Sequence, residues 1–331
     1  MYKISILVND HWKEKVFSEN HYSRLRELGE VHIYRGDERF SDKPAVLDFV
    51  SESDVLITSW RSPAVDAEIL DACPGLLGVI HAAGSVKKVV TPELISRGVR
   101  LTSASNELSR GVAETTLGAA IAACKGMFTL TRDTRNGLWR ENFNTITDFY
   151  GIKIGVIGAG CAGRHFIDLL RAFRVDVFVY DPYVSEEEIR ELGAEKCELS
   201  YLMSECDVIS IHAPSVPETD NMINRENLKL IKDGAVLINT ARGSLINEQD
   251  LVEECRKGRF MAVLDVTNPE PPAKDSELRS LPNIVLFPHI AGVTTNGVRR
   301  IGEYVCKEAA LLISGKRMMG EIDFSRLSVM A

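Results

Sequence analysis

One glycine-rich stretch limits the possible folds of this chain more than any other: Ile152-Lys-Ile-Gly-Val-Ile-Gly-Ala-Gly-Cys-Ala-Gly163. Its β-branched residues lead into Gly158-x-Gly160-x-x-Gly163, and residues 164–173 continue with helical apolar spacing. This order predicts a strand, a tight turn and a helix. In such a turn the first glycine allows the reversal, the second lets the backbone approach a pyrophosphate, and the third lets the helix pack close to the strand. The helix N-terminus would then face the anion.

An acidic residue follows at a suitable distance. The next predicted strand, residues 176–180, ends in Asp181, 18 residues beyond Gly163. A carboxylate at this point binds the ribose hydroxyls of NAD and repels the extra phosphate of NADP. We therefore predict NAD as the cofactor, bound by Gly158, Ala159, Gly160, Cys161, Ala162, Gly163 and Asp181. The alternative, a glycine loop that only joins strand to helix, leaves Asp181 unexplained.

Composition and charge exclude several classes of protein. The 331 residues are enough for about two domains, each with its own core. The hydrophobic fraction of 45% and the charged fraction of 26% are typical of a soluble globular protein. The formal charge of -8 argues against nucleic acid or a membrane surface as the main partner.

The cysteines and the start of the chain suggest a compartment. The seven cysteines are an odd number, and no two form a Cys-x-x-Cys pair. The first ten residues turn polar too early for a signal peptide. We therefore expect reduced thiols in the cytoplasm, no structural metal and no membrane span.

Strands and helices alternate along most of the chain. In the first hundred residues the strand candidates are residues 4–8, 31–34, 55–58, 77–81 and 99–102, and helix candidates include residues 66–72 and 91–97. Residues 108–135 read as one long helix, and residues 136–150 as a loop. From Ile152 onward six strands are expected to end at Gly158, Asp181, His212, Thr240, Val266 and His289. A last helix spans residues 294–314. Such alternation predicts parallel sheets with helices on both faces.

Three polar residues follow strands of the second half: Arg242, Glu270 and His289. Ligands of open parallel sheets bind beyond the carboxyl ends of the strands, so these side chains should meet at one edge. A guanidinium there can hold a carboxylate and polarise a ketone. His289 can donate a proton to the oxygen that becomes negative during hydride transfer, and Glu270 can orient the imidazole. Singly, each has a plain structural interpretation: a turn arginine, a solvated loop acid and a histidine that caps a strand.

Five motifs occur in a characteristic order: Gly158 to Gly163 with Asp181; Ile211-His-Ala-Pro214 with Thr219; Asn239-Thr-Ala-Arg-Gly243; Leu264-Asp-Val266 with Glu270-Pro271; and Pro288-His-Ile-Ala-Gly292. Together they resemble the D-isomer-specific 2-hydroxyacid dehydrogenase family, and the resemblance covers almost the whole chain. It implies two doubly wound parallel-sheet domains. One is a flavodoxin-like substrate domain, residues 1–105 plus 292–331, and the other is a Rossmann NAD-binding domain, residues 106–291.

The resemblance also implies an activity and the residues that perform it. The activity is the NAD-dependent interconversion of a 2-keto acid and a D-2-hydroxy acid by a homodimer, with Arg242, Glu270 and His289 as the catalytic residues. Further cofactor-binding positions carried over from the family are His212, Ala213, Pro214, Thr219, Thr240, Ala241, Asp265 and Gly292. Val216 stands where the family more often has a threonine, which removes one hydroxyl from this second cofactor loop.

The substrate side departs from the family pattern. The loop whose backbone N–H groups usually cradle the substrate carboxylate reads His81-Ala-Ala-Gly-Ser-Val-Lys-Lys88, with two lysines and no acid. The substrate-binding candidates are Arg61, Gly84, Ser85, Val86 and Asn106. Arg61 would bind a second anion such as a phosphate, sulfonate or carboxylate, or would be an exposed turn residue. The lysines are typical of a solvated turn.

Two other functions remain open on the same fold. An NAD-sensing protein that acts through partners would bind NADH without turning over keto acids. Formate oxidation is disfavoured, because the resemblance would then call for an amide at Glu270. The sequence does not name the 2-hydroxy acid.

Overall fold

The chain folds into two compact units, each built on one parallel sheet. The computed structural model describes residues 1–141, 143 and 146–329. The first unit consists of residues 1–108 and 293–329, and the second of residues 109–292. Both boundaries lie slightly later along the chain than the sequence suggested. The predicted fold class, two α/β parallel-sheet domains, is confirmed.

The first unit has a five-stranded sheet in the order β2-β1-β3-β4-β5. Its strands are β1 Tyr2–Leu7, β2 Gly29–Ile33, β3 Val55–Thr58, β4 Gly78–His81 and β5 Arg100–Ser103. Its helices are α1 Asp10–Val16, α2 Glu19–Leu28, α3 Lys43–Val50, α4 Ala67–Ala72, α5 Pro92–Ser96 and, after the second unit, α13 Gly297–Ile313. This is the flavodoxin-like order, in which ligands bind beyond the carboxyl ends of the strands.

Helix α13 completes the core of the first unit. Its apolar face packs with Ile4, Ile6 and Ile57 of the sheet, and it contributes Val298, Ile301, Val305 and Leu312 as buried residues. The predicted helix over residues 294–314 therefore exists but begins three residues later, at Gly297. The Thr294 hydroxyl accepts a hydrogen bond from the Gly297 N–H at 3.1 Å, so Thr294 lies in the turn that precedes the helix.

The second unit has a seven-stranded sheet in the order β12-β11-β10-β9-β6-β7-β8. Its strands are β6 Lys153–Ile157, β7 Asp176–Tyr180, β8 Glu195–Lys196, β9 Val208–Ile211, β10 Val236–Asn239, β11 Met261–Leu264 and β12 Ile284–Leu286. Its helices are α6 Ser105–Cys124, which begins in the first unit, α7 Met127–Arg135, α8 Cys161–Leu170, α9 Glu186–Glu191, α10 Leu199–Glu205, α11 Arg225–Leu228 and α12 Glu248–Cys255. The order reverses between β6 and β9, as in a Rossmann fold.

One predicted helix was wrong, and one strand was missed. The single helix expected over residues 108–135 is broken, because Gly126 adopts a left-handed conformation with φ 63° and separates α6 from α7. The strand β8 was not predicted, since it is only two residues long. Of the predicted loop at residues 136–150, Asn142, Asn144 and Thr145 lie outside the described residues, and the remainder is irregular.

The helices and the cysteines each show one general feature. None of the helices in the described part of the chain is both long and apolar enough to cross a membrane. The seven cysteines are free thiols, five of them buried, and Cys161 is exposed.

Candidate active site

The glycine turn lies where the order of the second sheet reverses. Ile157 at the end of β6 is in register with Ile211 at the end of β9, and Gly158 and His212 follow directly. Gly158 has φ 97°, and a Cβ atom built there would lie 2.7 Å from the Ala213 nitrogen. A Cβ atom on Gly163 would lie 2.1 Å from the Gly158 oxygen. Both positions therefore require glycine for the chain's own packing.

Gly160 differs, because a Cβ atom built there would meet no protein atom within 4 Å. The open space beside it is therefore available to a ligand. Gly160 also caps α8 without a side-chain hydrogen bond, so the first N–H groups of the helix, from Cys161 to Gly163, have no intrahelical partner. This cradle of open space and unpaired N–H groups fits a pyrophosphate.

Asp181 ties the glycine turn to the end of β7. One carboxylate oxygen accepts the Ala159 N–H at 2.8 Å, and the other accepts the N–H groups of Tyr183 at 2.8 Å and Val184 at 3.2 Å. A carboxylate has about four acceptor sites, so a ribose hydroxyl can still bind. Asp181 is partly exposed, and its negative charge lies next to the turn.

The second predicted cofactor loop follows β9. The His212 ring is buried against Phe166, and its Nε2 lies 2.9 Å from the Ser210 hydroxyl. Its Nδ1 has no hydrogen-bond partner among the described residues. Burial lowers the pKa of His212 to about 4, so the ring is neutral at physiological pH.

Thr219 shapes this loop from within. Its hydroxyl accepts the Val216 N–H at 3.0 Å and donates to the Pro214 carbonyl at 2.6 Å. Ala213 and Val216 are buried, whereas Pro214 is partly exposed. The hydroxyl that we predicted for cofactor contact is thus engaged in holding the loop.

Arg242 lies in a tight turn after β10. Asn239 holds this turn: its side chain accepts the Ala241 N–H at 3.0 Å and donates to the Arg242 carbonyl at 2.8 Å. The neighbouring Thr240 is buried, and its hydroxyl lies 2.9 Å from that of Thr116 on α6. Ala241 is partly exposed and Arg242 exposed, so this turn presents a cation to solvent.

Burial of the surroundings lowers the pKa of the Arg242 guanidinium, and the charge of Glu270 opposes this shift. The Arg242 side chain is itself exposed to water, and an arginine loses its proton only far above neutral pH. Arg242 is therefore a cation close to a carboxylate.

Gly243 brings the arginine turn against the segment that carries Glu270. A Cβ atom on Gly243 would lie 2.1 Å from the Thr267 backbone and 2.7 Å from the Asn268 nitrogen. The Thr267 hydroxyl donates to the Pro269 carbonyl at 2.8 Å, and the Glu248 carboxylate accepts the Asn268 N–H. Only glycine permits this approach.

His289 and Glu270 form a hydrogen-bonded pair. The His289 Nδ1 lies 2.6 Å from the Glu270 Oε1, with 47% and 42% of the two side chains exposed. The Nε2 atom points away from this bond and is available to a ligand. His289 also has φ 54°, a strained conformation for a residue other than glycine. Such strain is concentrated at functional sites.

Asp265 anchors the histidine segment. It is buried after the end of β11, and its carboxylate accepts the N–H groups of Ile290 at 2.8 Å and Ala291 at 3.0 Å. The same segment contacts α6, where Thr115 donates to the Ala291 carbonyl at 3.3 Å and Gly111 approaches Gly292.

The predicted substrate residues lie at the carboxyl edge of the first unit's sheet. Arg61 follows β3; it is exposed, has φ 68° and makes no hydrogen bond or ion pair in the described part of the chain. Gly84 and Ser85 are partly exposed, and Asn106 is exposed on the first turn of α6. The Val86 side chain is buried, so only its backbone is available to a substrate.

Sequence reasoning missed several positioning residues. Asn239, Glu248, Ser59 and Ser103 all hold loops of the two candidate sites through backbone hydrogen bonds. For Asn239 a signal existed, because an asparagine that follows a buried apolar strand and precedes Arg-Gly is suited to a turn. The two serines carry no such signal.

The fold and the glycine cradle define a two-domain, dinucleotide-binding α/β protein. Residues 117–291 match the sequence model described as "D-isomer specific 2-hydroxyacid dehydrogenase, NAD binding domain". The chain belongs to the D-isomer-specific 2-hydroxyacid dehydrogenase family, and this part of it is the NAD-binding domain.

Two relatives of named activity support the same assignment. The chain is 30% identical over 309 residues to a glyoxylate reductase of Korarchaeum cryptofilum. The aligned residues make up 92% of this chain and 91% of that protein. It is 30% identical over 316 residues to a D-3-phosphoglycerate dehydrogenase of Methanocaldococcus jannaschii, covering 95% of this chain but 58% of that protein. It thus spans little more than half the length of the phosphoglycerate dehydrogenases that it matches.

A solved structure matches almost the whole chain. The TT0316 protein of Thermus thermophilus has 28% sequence identity and a TM-score of 0.77, over 97% of this chain and 100% of that one. The two-domain architecture is therefore that of a known structure.

Proposed function

We propose that the protein is an NAD-dependent oxidoreductase that interconverts a small polar 2-keto acid and the corresponding D-2-hydroxy acid. The observation that carries this proposal is the pair formed by His289 and Glu270 at 2.6 Å. It lies on the strand-end edge that also carries the glycine cradle and the exposed Arg242 cation. Family membership supports the same reaction class.

The chemistry of the pair suits a ketone reduction. A bound reduced dinucleotide supplies a hydride to the ketone carbon. The Nε2–H of protonated His289 donates its proton to the ketone oxygen, which becomes the hydroxyl. Glu270 accepts the hydrogen bond from Nδ1–H, so it orients the ring and stabilises the imidazolium before the transfer. Arg242 binds the substrate carboxylate and polarises the ketone through its forked N–H groups.

The cofactor side rests on the residues of the second unit. The first N–H groups of α8 and the open space at Gly160 would hold the pyrophosphate, and Asp181 would hold the ribose. Thr240, Ala241 and Asp265 follow the ends of β10 and β11, which places them at the nicotinamide end in this proposal. The Thr240 hydroxyl and the Asp265 carboxylate are buried. In this proposal they shape the surface that the nicotinamide would contact.

The substrate side rests on the first unit. The loop of Gly84, Ser85 and Val86 would bind the substrate carboxylate through backbone N–H groups, with Asn106 nearby on α6. Arg61 would recognise a second anionic group, because it is an unpaired cation at the carboxyl edge of the sheet in the described part of the chain. This feature favours substrates of the phosphoglycerate type over plain glyoxylate.

A keto-acid panel tests the reaction. We expect NADH to be oxidised with glyoxylate, hydroxypyruvate or phosphohydroxypyruvate, and His289→Ala to lower kcat by a factor on the order of a hundred or more. The control is His11→Ala, which removes an exposed histidine of α1. Tight NADH binding without turnover across the panel would instead indicate an NAD-sensing protein. Unchanged turnover in His289→Ala would rule out the mechanism.

We also propose that the protein is a homodimer joined through the second unit. Helix α7 has no buried residue, and the segment after it exposes large apolar side chains, Trp139 at 75% and Phe143 at 45%. Met127 and Leu130 line a surface groove on the same helix. A second copy of the chain would bury this apolar surface, since patches of this kind mark interfaces.

Sedimentation equilibrium tests the proposed dimer. The wild type should give the dimer mass, and Trp139→Asp should shift the mass toward that of the monomer. A monomeric wild type would contradict the proposal.

A further inference from the structure

The loops that follow β9 and β10 lie side by side. The two strands pair in parallel, so both loops leave the same edge of the second sheet. The first contains the second cofactor loop, residues 212–219; we call residues 240–245, which carry Arg242, the arginine loop. Just beyond the second cofactor loop, the Asn221 N–H donates to the Ser244 carbonyl at 2.8 Å. The groups proposed to bind the dinucleotide and the substrate carboxylate are therefore carried by two loops that touch.

Two serine hydroxyls join these loops directly. The Ser215 Oγ lies 2.9 Å from the Ser244 Oγ, and both residues are partly buried. Ser215 lies between Pro214 and Val216, and the Thr219 hydroxyl forms hydrogen bonds with the backbone of both neighbours. Because the loop is held on either side of Ser215, the Ser215 hydroxyl moves only with the loop as a whole.

Ser244 belongs to the turn that carries Arg242. It lies in the 3₁₀ turn Gly243–Leu245, which begins directly after Arg242. The Asn239 side chain donates to the Arg242 carbonyl at 2.8 Å, and the Arg242 guanidinium donates to the Ala241 carbonyl at 2.7 Å. Both the backbone and the guanidinium of Arg242 are thus tied to the arginine loop, so a shift of Ser244 changes where the guanidinium lies.

We propose that Ser215 and Ser244 are positioning residues that couple dinucleotide binding to carboxylate binding. A dinucleotide that contacts the second cofactor loop fixes Ser215, the hydrogen bond fixes Ser244, and the arginine loop then holds the Arg242 guanidinium in place for the substrate carboxylate. Neither serine touches a ligand in this scheme. The inference rests on the proposed function for the identity of the two ligands.

The coupling has a defined size and is reciprocal. One hydrogen bond between neutral groups changes an equilibrium constant about threefold to tenfold. By linkage, a carboxylate tightens NADH binding by the same factor by which NADH tightens carboxylate binding. The coupling can therefore be measured from NADH binding alone, without turnover.

The test is a fluorescence titration of the protein with NADH, in the absence and in the presence of saturating oxalate, a carboxylate that NADH does not reduce. The ratio of the two Kd values is the coupling factor, and it should exceed about fivefold in the wild type. We expect Ser215→Ala and Ser244→Ala each to lower this ratio about threefold or more, with little change in the Kd of NADH alone. A contact that only stabilised the fold would change both Kd values equally and leave the ratio unchanged.

Three further variants identify the hydrogen bond as the cause. Ser215→Ala combined with Ser244→Ala should lower the ratio no more than either change alone, because both remove the same bond. Ser244→Thr keeps a hydroxyl and should retain most of the wild-type ratio. Ser204→Ala is the matched control, since it removes a serine hydroxyl of α10 that donates to the Tyr201 carbonyl in its own helix, and it should behave as the wild type.

The outcomes separate this inference from the proposed reaction. A wild-type ratio in both Ser215→Ala and Ser244→Ala, additive losses in the double variant, or a ratio of about one in the wild type would each overturn the coupling. Turnover of keto acids would still support the reaction in those cases. A ratio that falls in Ser215→Ala, in a protein that turns over no keto acid, would support the coupling and overturn the reaction alone.

Discussion

The backbone carbonyl of Asp265 accepts the N–H of His289 at 2.9 Å, and the Asp265 carboxylate accepts the next two N–H groups of the same segment. One buried residue at the end of β11 therefore sets the course of the backbone at His289, including its left-handed conformation. Glu270 then fixes the ring from the other side. Two acids therefore orient the imidazole in different ways. The buried Asp265 holds the backbone of the histidine segment, and the exposed Glu270 holds the ring.

Replacing Asp265 should consequently disturb the position of His289. Asp265→Ala leaves the N–H groups of Ile290 and Ala291 without their acceptor. We expect kcat to fall about tenfold or more, with a smaller change in the KM for NADH, because positioning and not cofactor affinity is lost. Steady-state kinetics measure both constants. Asp275→Ala, in an exposed loop, is the control, and an equal loss there would contradict the explanation.

Asp181 should determine the preference for NADH over NADPH. In Asp181→Asn the amide oxygen can replace only one of the two carboxylate oxygens that accept N–H groups of the turn, and the negative charge that repels a 2′-phosphate is lost. We expect the NADH/NADPH ratio of kcat/KM to fall about tenfold or more. Asp176→Asn, at the exposed start of the same strand, should leave the ratio unchanged. A wild type that prefers NADPH would show that the carboxylate does not face the ribose.

Glu308 should be important for the stability of the first unit. It is fully buried and accepts hydrogen bonds from the Thr102 hydroxyl at 2.5 Å, the Met319 N–H at 2.8 Å and the Tyr304 hydroxyl at 3.1 Å. Glu308→Ala leaves these donors unsatisfied, so the free energy of unfolding should fall by about 3 kcal/mol. Glu303→Ala, a half-exposed acid of the same helix paired with Arg24, should cost less than about 1 kcal/mol. Urea denaturation distinguishes the two.

His212 should make the second unit less stable in acid. Its pKa is lowered to about 4 in the folded protein from an ordinary value of 6.5. The unfolded chain therefore binds the proton first as the pH falls. The contribution to stability is complete above pH 6.5, declines as the pH falls toward 4 and is constant below, a loss on the order of 3 kcal/mol.

Unfolding measured at about pH 7.5, 5.5 and 4.5 checks this dependence. In His212→Gln the free energy of unfolding should fall less steeply over this range, whereas His11→Gln, which changes an exposed histidine, should keep the wild-type slope. Identical slopes in His212→Gln and the wild type would show that the ring titrates normally. Burial also lowers the pKa of His81. The first unit should therefore lose stability over the same pH range as the second.

The parts of the fold that could be predicted from the sequence are those set by local patterns. Buried strands such as β3 and β9 are mainly apolar, and the glycine turn has a fixed spacing. The break at Gly126 could not be predicted, because an isolated glycine is tolerated within a helix and only its left-handed conformation ends it.

The positioning residues could not be predicted for a different reason. Ser59 and Ser103 hold the loop after β4 from the ends of the two strands on either side of it, so their shared role depends on the order of strands in the sheet. Val86 was predicted to contact substrate, but its side chain is buried, so only its backbone could make that contact. The positions of the strand ends predict which residues lie at one edge of a sheet. They do not distinguish residues that bind a ligand from residues that hold a loop in place.

The first unit is assembled from two separate stretches of the chain, with α13 filling its core after the second unit has intervened. During synthesis on a ribosome, residues 109–292 emerge before α13 does. The second unit can therefore close its sheet while the strands β1 to β5 still lack the helix that covers them, since domains fold as units in the order of their synthesis. Until α13 has been synthesised, the nascent chain exposes the apolar face of that sheet, including Ile4, Ile6 and Ile57, and it is during this interval that a chaperone would bind.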